Sequence, residues 1–197
     1  MKRILYFVPF LCFLAVMFAF GGPQKFFQKV GGKLTDVSSG NAYGDFIHDR
    51  NSLNQLIEGF KAQTGDPVLI SELEVKPNEF SAFVQNNEKP ETADEIYYQK
   101  GEWSKAPLKI VGGDGKLHGK LGDFGGLNIG KITENALIAE KKAAEIGFKD
   151  PKISKIRVAY KGNNSFTVEF AVFSLPNMIA SMQTDRDGNI TEFKKIN

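Results

Sequence analysis

The pentapeptide Ser71-Glu72-Leu73-Glu74-Val75 has a counterpart in the second half of the chain. There, Ser154-Lys155-Ile156-Arg157-Val158 puts polar and apolar residues in the same places. Each copy follows an amphipathic stretch that ends in a glycine and an Asp-Pro pair, Asp66-Pro67 first and Asp150-Pro151 later. This recurrence constrains the fold more than any other feature. It predicts an α+β chain built as a tandem repeat, each copy one helix packed on an antiparallel sheet of about four strands, preceded by an N-terminal apolar helix.

The elements follow from spacing. Leu53, Leu56, Ile57 and Phe60 fall at i, i+3, i+4 and i+7, one apolar helix face, with Ser52 and Gln55 forming a capping-box pattern. Gly65 and Pro67 end that helix. Strands are predicted from Leu69 to Val75, Phe80 to Gln85, Glu95 to Gln99 and Glu102 to Val111, with Lys100-Gly101 as a tight turn. Pro107 marks the fourth as an edge or a bulge. In the second copy Ile132, Ala136, Ala139, Ala143 and Ile146 predict a helix capped by Thr133 and stopped by Gly147. Phe166, Val168, Phe170 and Val172 alternate, Asp187-Gly188-Asn189 turns the chain, and a last strand runs through Phe193 to Ile196.

Residues 4–20 carry no charge and follow Lys2 and Arg3. As a helix at ~1.5 Å per residue the run is ~25 Å long, slightly short of a ~30 Å hydrocarbon core. Residues 1–21 are read as an uncleaved transmembrane anchor in preference to a signal peptide cleaved after Ala19-Phe20-Gly21. Either way the rest of the chain is exported. Residues 22–45 form a tether, 46–111 the first repeat, 112–131 a Gly-rich linker and 132–197 the second repeat. The expected location is the bacterial inner membrane, single-pass, with the body in the periplasm or at the exterior, or secretion after cleavage. Cys12, the only cysteine, lies within the apolar run, so the body must be stable without disulfides.

Lys2 and Arg3 aside, basic and acidic residues balance at 23 each, a poor basis for gripping a nucleic-acid backbone. The copies differ, however. Residues 52–110 hold 6 basic and 10 acidic side chains, and residues 132–197 hold 10 and 8. The two are therefore not expected to bind the same ligand in the same way.

Helix-plus-four-strand units in tandem resemble the PepSY/cystatin-like and β-lactamase-inhibitor-like repeats of exported proteins. More specifically, Lys89-Pro90-x-x-x-Asp94-x-Ile96-x-Tyr98-x-x-Gly101-x-Trp103-x-x-x-Pro107 resembles a pattern in uncharacterised bacterial membrane-anchored envelope proteins, where an aromatic usually stands at the place of Ile96. The resemblance implies location and architecture but no activity.

Motifs for chemistry fall short. Residues 125–133 approach a phosphate loop, yet Ile132 stands where the magnesium-binding hydroxyl should follow Lys131. Gly113-Asp114-Gly115 lacks a third glycine at dinucleotide spacing. Asp185-Arg186-Asp187-Gly188-Asn189 resembles a calcium loop, but Gln183 and Lys194 occupy its first and last ligand positions, so it reads as a hairpin turn. His48 and His118 are the only histidines, with no ligand-spaced partner, and Asn163-Asn164-Ser165 reads as a polar turn. No catalytic residue, metal, nucleotide or other cofactor is expected. Tyr97, Tyr98 and Trp103 gather on one hairpin, and because strand neighbours face opposite ways, at least one tyrosine should lie on or near the open sheet face. The expected protein is non-enzymatic, held by the membrane, with a protein or envelope-polymer partner at that face. The alternative is an exported inhibitor or small enzyme using the cleft between the repeats, and a histidine beside a carboxylate in a polar pocket would favour it.

Overall fold

A computed structural model of the chain describes residues 44–108, 117, 119–174 and 176–196. The apolar run, the tether up to residue 43, Gly113-Asp114-Gly115 and His118 lie outside the described residues. The described elements are α1 (Arg50–Thr64), β1 (Leu69–Val75), β2 (Glu79–Gln85), β3 (Ala93–Gln99), β4 (Glu102–Leu108), the two-residue β5 (Gly122–Asp123), α2 (Ile132–Glu145), β6 (Lys152–Gly162), β7 (Ser165–Ser174), β8 (Asn177–Thr184) and β9 (Ile190–Lys195).

All strands join one antiparallel sheet in the order β4-β3-β2-β1-β6-β7-β8-β9, with β5 added beside β1. Separate four-stranded sheets do not form, because β1 and β6 pair directly. Register explains the two faces. Trp103, Tyr98, Phe80, Val75, Ile156, Phe170, Met182 and Phe193 lie opposite one another in succession, an apolar row across eight strands. One residue along, the row reads Ser104, Tyr97, Ser81, Glu74, Arg157, Glu169, Gln183 and Glu192. Strand alternation therefore makes one face apolar and the other polar across both halves.

Both helices cover the apolar face, since Leu73 and Val75 of β1 lie beside Val158 and Ile156 of β6 in one core. Leu53, Leu56, Ile57 and Phe60 of α1 are buried, as their spacing predicts. Phe60 packs against Phe80 and Phe124 at centroid distances of 4.9 and 5.4 Å. The buried stripe of α2 is largely alanine, Ala136, Ala139 and Ala143, and alanine lets a helix lie close to a sheet.

Helix ends differ from expectation. Asp49, not Ser52, caps α1, accepting from the Asn51 and Ser52 N–H groups, and the Ser52 hydroxyl donates to the same carboxylate at 2.5 Å. Asp is as good a cap as Ser and sits one turn earlier. Thr133 does not cap α2. A 3₁₀ turn, Ile129–Lys131, leads into the helix instead, and the Thr133 hydroxyl is buried without a hydrogen-bond partner. Helix α2 ends at Glu145, which leaves Ile146 46% exposed rather than on the core face. Gly147 takes the expected left-handed conformation at φ +94°.

The second half of the Gly-rich linker is built structure. Phe124 and Leu127 are buried, and the Arg186 Nε donates to the Gly126 carbonyl at 3.0 Å. Asn128 and Asn135 donate to carbonyls of Asp187 and Gly188. Polar turns thus pin this segment to the β8–β9 hairpin, an arrangement its glycines do not advertise.

Candidate functional site

The hairpin aromatics divide between the two faces. Tyr98 is 6% exposed, edge-on to Phe46 and 4.9 Å from Trp103, whose ring packs against Phe80 and close over Gly59. Tyr98 belongs to the core, and Trp103, half-buried, packs against it: the alternation that exposes Tyr97 buries Tyr98, and Trp103 lies opposite Tyr98. Tyr97 alone of the three is on the open face, 39% exposed. Its cross-strand neighbours are Ser81 and Ser104, too small to cover the ring.

The spacing of Asp94, Ile96, Tyr98, Gly101, Trp103 and Pro107 is explained by the same geometry. Asp94, Ile96 and Tyr98 point inward from β3, with Pro107 and Trp103 opposite Asp94 and Tyr98, and Gly101 takes φ +83° in the turn. Asp94 is buried and satisfied by Lys105 at 2.9 Å and Asn86 at 2.8 Å. β4 ends the sheet, so the missing N–H of Pro107 interrupts no inner ladder.

Around Tyr97 the open face is rich in carboxylates. Burial, then the hydrogen bond and charge of Glu95, push the Tyr97 phenol up to about 12, which keeps it a neutral donor. Glu79 accepts from Gln99 at 2.5 Å and from Lys76 at 3.3 Å, and its carboxyl is held below the usual range by those bonds. At the centre Glu72 receives Arg157 at 2.6 Å, and Glu74 receives Lys155 at 3.2 Å. No described helix covers this face, and its polar lining suits hydrogen bonding to a partner more than apolar burial.

Sequence spacing gave no sign of what His48 does. Its Nδ1 lies 2.6 Å from Asp45 and its Nε2 2.8 Å from Glu140 of α2, which also accepts the Ile153 N–H at 2.8 Å. Burial alone would lower the His48 pKa, but the hydrogen bonds and charges of Glu140 and Asp45 outweigh it and raise it. The two ring nitrogens point opposite ways, so the carboxylates flank the ring instead of converging on one point. Among the described residues no group of His, Cys, Asp or Glu could hold a metal. With both nitrogens engaged, the arrangement is a clamp between the entering chain, α2 and β6.

A groove of ≈ 270 Å³ lies elsewhere, between α1 and the 124–129 segment. Ile57, Phe124, Leu127 and Ile129 give it an apolar lining, and Asn54, Glu58 and Lys61 a polar one. His48 is not part of it. The calcium-loop-like stretch also has its own partners: the Asp185 carboxylate accepts from the Asp187 and Asn189 N–H groups and from the Asn189 side chain. The turn reading of its sequence accounts for that geometry. No protein family, curated protein or solved structure matches this chain.

Proposed function

We propose that this protein is a non-enzymatic, membrane-tethered envelope protein whose body presents an uncovered sheet face to a protein or envelope polymer. The observation that carries the reading is the polar row through Tyr97, which crosses the whole sheet with no described helix over it. The apolar run of residues 4–20 supplies the tether and places the body outside the cytoplasm. Among the described residues no helix is long and apolar enough to cross a membrane, so membrane attachment in this reading rests on that run.

The body is read as a duplicated unit, and the pairing of β1 with β6 supports this. Leu73 lies opposite Val158 and Val75 opposite Ile156, while Glu74 faces Arg157. In the sequence echo Leu73 corresponds to Ile156 and Val75 to Val158. Each residue therefore meets its partner's equivalent, the reciprocity of a two-fold contact. The strand order is symmetric about the same seam.

Fractionation tests the proposal. The full chain should remain in the membrane pellet through carbonate and high salt, with its amino terminus intact, and external protease should reach the body in spheroplasts. Release as a soluble chain beginning near Gly22 would defeat the anchor, and a protected body would defeat the export. The exported inhibitor is the second reading, favoured by the groove beside α1. Substitutions there that abolish inhibition of a target enzyme would support it.

A further inference from the structure

The carboxyl end of α2 meets the β9 edge in a rim whose positive charges are unopposed. Lys142 stands over the Phe193 ring at 5.9 Å from its centroid, and Lys195 over the Phe148 ring at 5.4 Å. Neither has a carboxylate partner among the described residues, and the same holds for Lys149. Nearby acids are answered by other lysines: Glu145 by Lys141 at 4.0 Å and Asp150 by Lys152 at 3.8 Å. Lysines on aromatic floors keep their full charge for an outside partner.

Apolar side chains project from the same element. Ile146 is 46% exposed just past the end of α2, and Leu137 and Ile138 on its outer surface are 53% and 37% exposed. A rim of lysines around protruding aliphatic residues matches the two components of an interfacial surface, phosphate charge outside and acyl chain beneath.

We propose that the α2–β9 rim docks on an anionic lipid bilayer. This rests on the anchored reading of the chain, and the His48 clamp adds a reason for the orientation. His48 holds Glu140 at 2.8 Å, so the segment entering the body from the tether is fastened beside the middle of α2. The helix side then turns to the bilayer and the carboxylate-rich sheet face turns away, where a partner can reach Tyr97. A tethered body meets the bilayer at high effective concentration, so a weak surface suffices.

The test uses the full chain with Cys12→Ser, held in lipid nanodiscs and labelled with an environment-sensitive fluorophore at Ile146→Cys. The control label is at Ser104→Cys on the open face. In discs containing phosphatidylglycerol the Ile146 label should shift to the blue. In phosphatidylcholine discs, or in high salt, it should not, and the Ser104 label should stay unmoved in all of them. Lys142→Gln, Lys149→Gln and Lys195→Gln should each lower the ratio of docked to undocked protein about five-fold, with unchanged melting curves. An Ile146 label indifferent to lipid charge would overturn the proposal and leave an acidic protein as the occupant of the rim. A chain that does not stay with the discs would sink the anchor alone. The same label read against added phosphatidylglycerol vesicles then decides the rim, with no shift overturning it.

Discussion

Arg157 binds both carboxylate oxygens of Glu72 across the strand pair that joins the two halves, its Nε and Nη2 each 2.6 Å from one of them. Lys155 and Glu74 make the matching contact at 3.2 Å. In the sequence echo Glu72 corresponds to Lys155 and Glu74 to Arg157, so the two ion pairs are one contact made twice with the charges sorted: acids on β1, bases on β6. Two β1 strands from different molecules would bring four glutamates together. The charge difference between the copies thus selects the pairing within one chain.

Reversing Glu72 and Glu74 together to lysine should lower the unfolding free energy by roughly 1–2 kcal/mol, since partly exposed pairs are worth ~0.2–1 kcal/mol each and like charges repel. Adding Lys155→Glu and Arg157→Glu should recover most of the loss. Urea denaturation of the four variants closes the cycle, and absence of recovery would show that charge does not select this register.

Neighbouring tyrosines should respond oppositely. Tyr98→Ala removes a buried ring packed on Phe46 and Trp103 and should cost about 3–5 kcal/mol, in the range of large core truncations. Tyr97→Ala should stay within about 1 kcal/mol, because only small serines flank it. Thermal melts of both variants check this, and equal losses would contradict the assignment of faces.

Much of this fold is legible from period alone. The apolar faces of α1 and α2, the alternation in β2 and β7 and the Lys100-Gly101 turn follow from side-chain spacing and local backbone preference. The direct pairing of β1 with β6 is different. Both strands read as ordinary half-buried segments, and only the complementary charges at 72, 74, 155 and 157 hint that they meet. Long-range partners also hide the site: His48 gains its second carboxylate from Glu140 on a distant helix, and Trp103 turns inward because of its register with Tyr98. The packed linker escapes sequence reading because glycine signals freedom, whereas here it permits close approach.

Gly122 illustrates that approach. A Cβ there would collide with the rings of Tyr160 and Phe166, which pack on each other, Phe166 in the core and Tyr160 against it. Gly122→Ala should therefore destabilise by about 1–3 kcal/mol through overpacking. Gly101→Ala, with open space around it, should show only the smaller strain of its positive φ. Denaturant midpoints compare the two.

The His48 clamp makes stability depend on pH. Because the folded pKa is raised above the ordinary 6.5, the clamp's contribution is fully present below that value and is lost as pH rises through the raised one. His48→Gln should lower stability in mild acid and flatten its fall between neutral and mildly alkaline pH. Melts across that range test it, and an unchanged profile in the variant would remove the clamp from the account.

Photocrosslinking in intact cells tests the open sheet face most directly, with a benzophenone amino acid placed at Tyr97 on that face or at Glu58 on the outer side of α1. A discrete crosslinked product is expected from position 97 and none of that size from position 58. A product from position 58 alone, or the same products from both, would contradict the open sheet face as the binding surface.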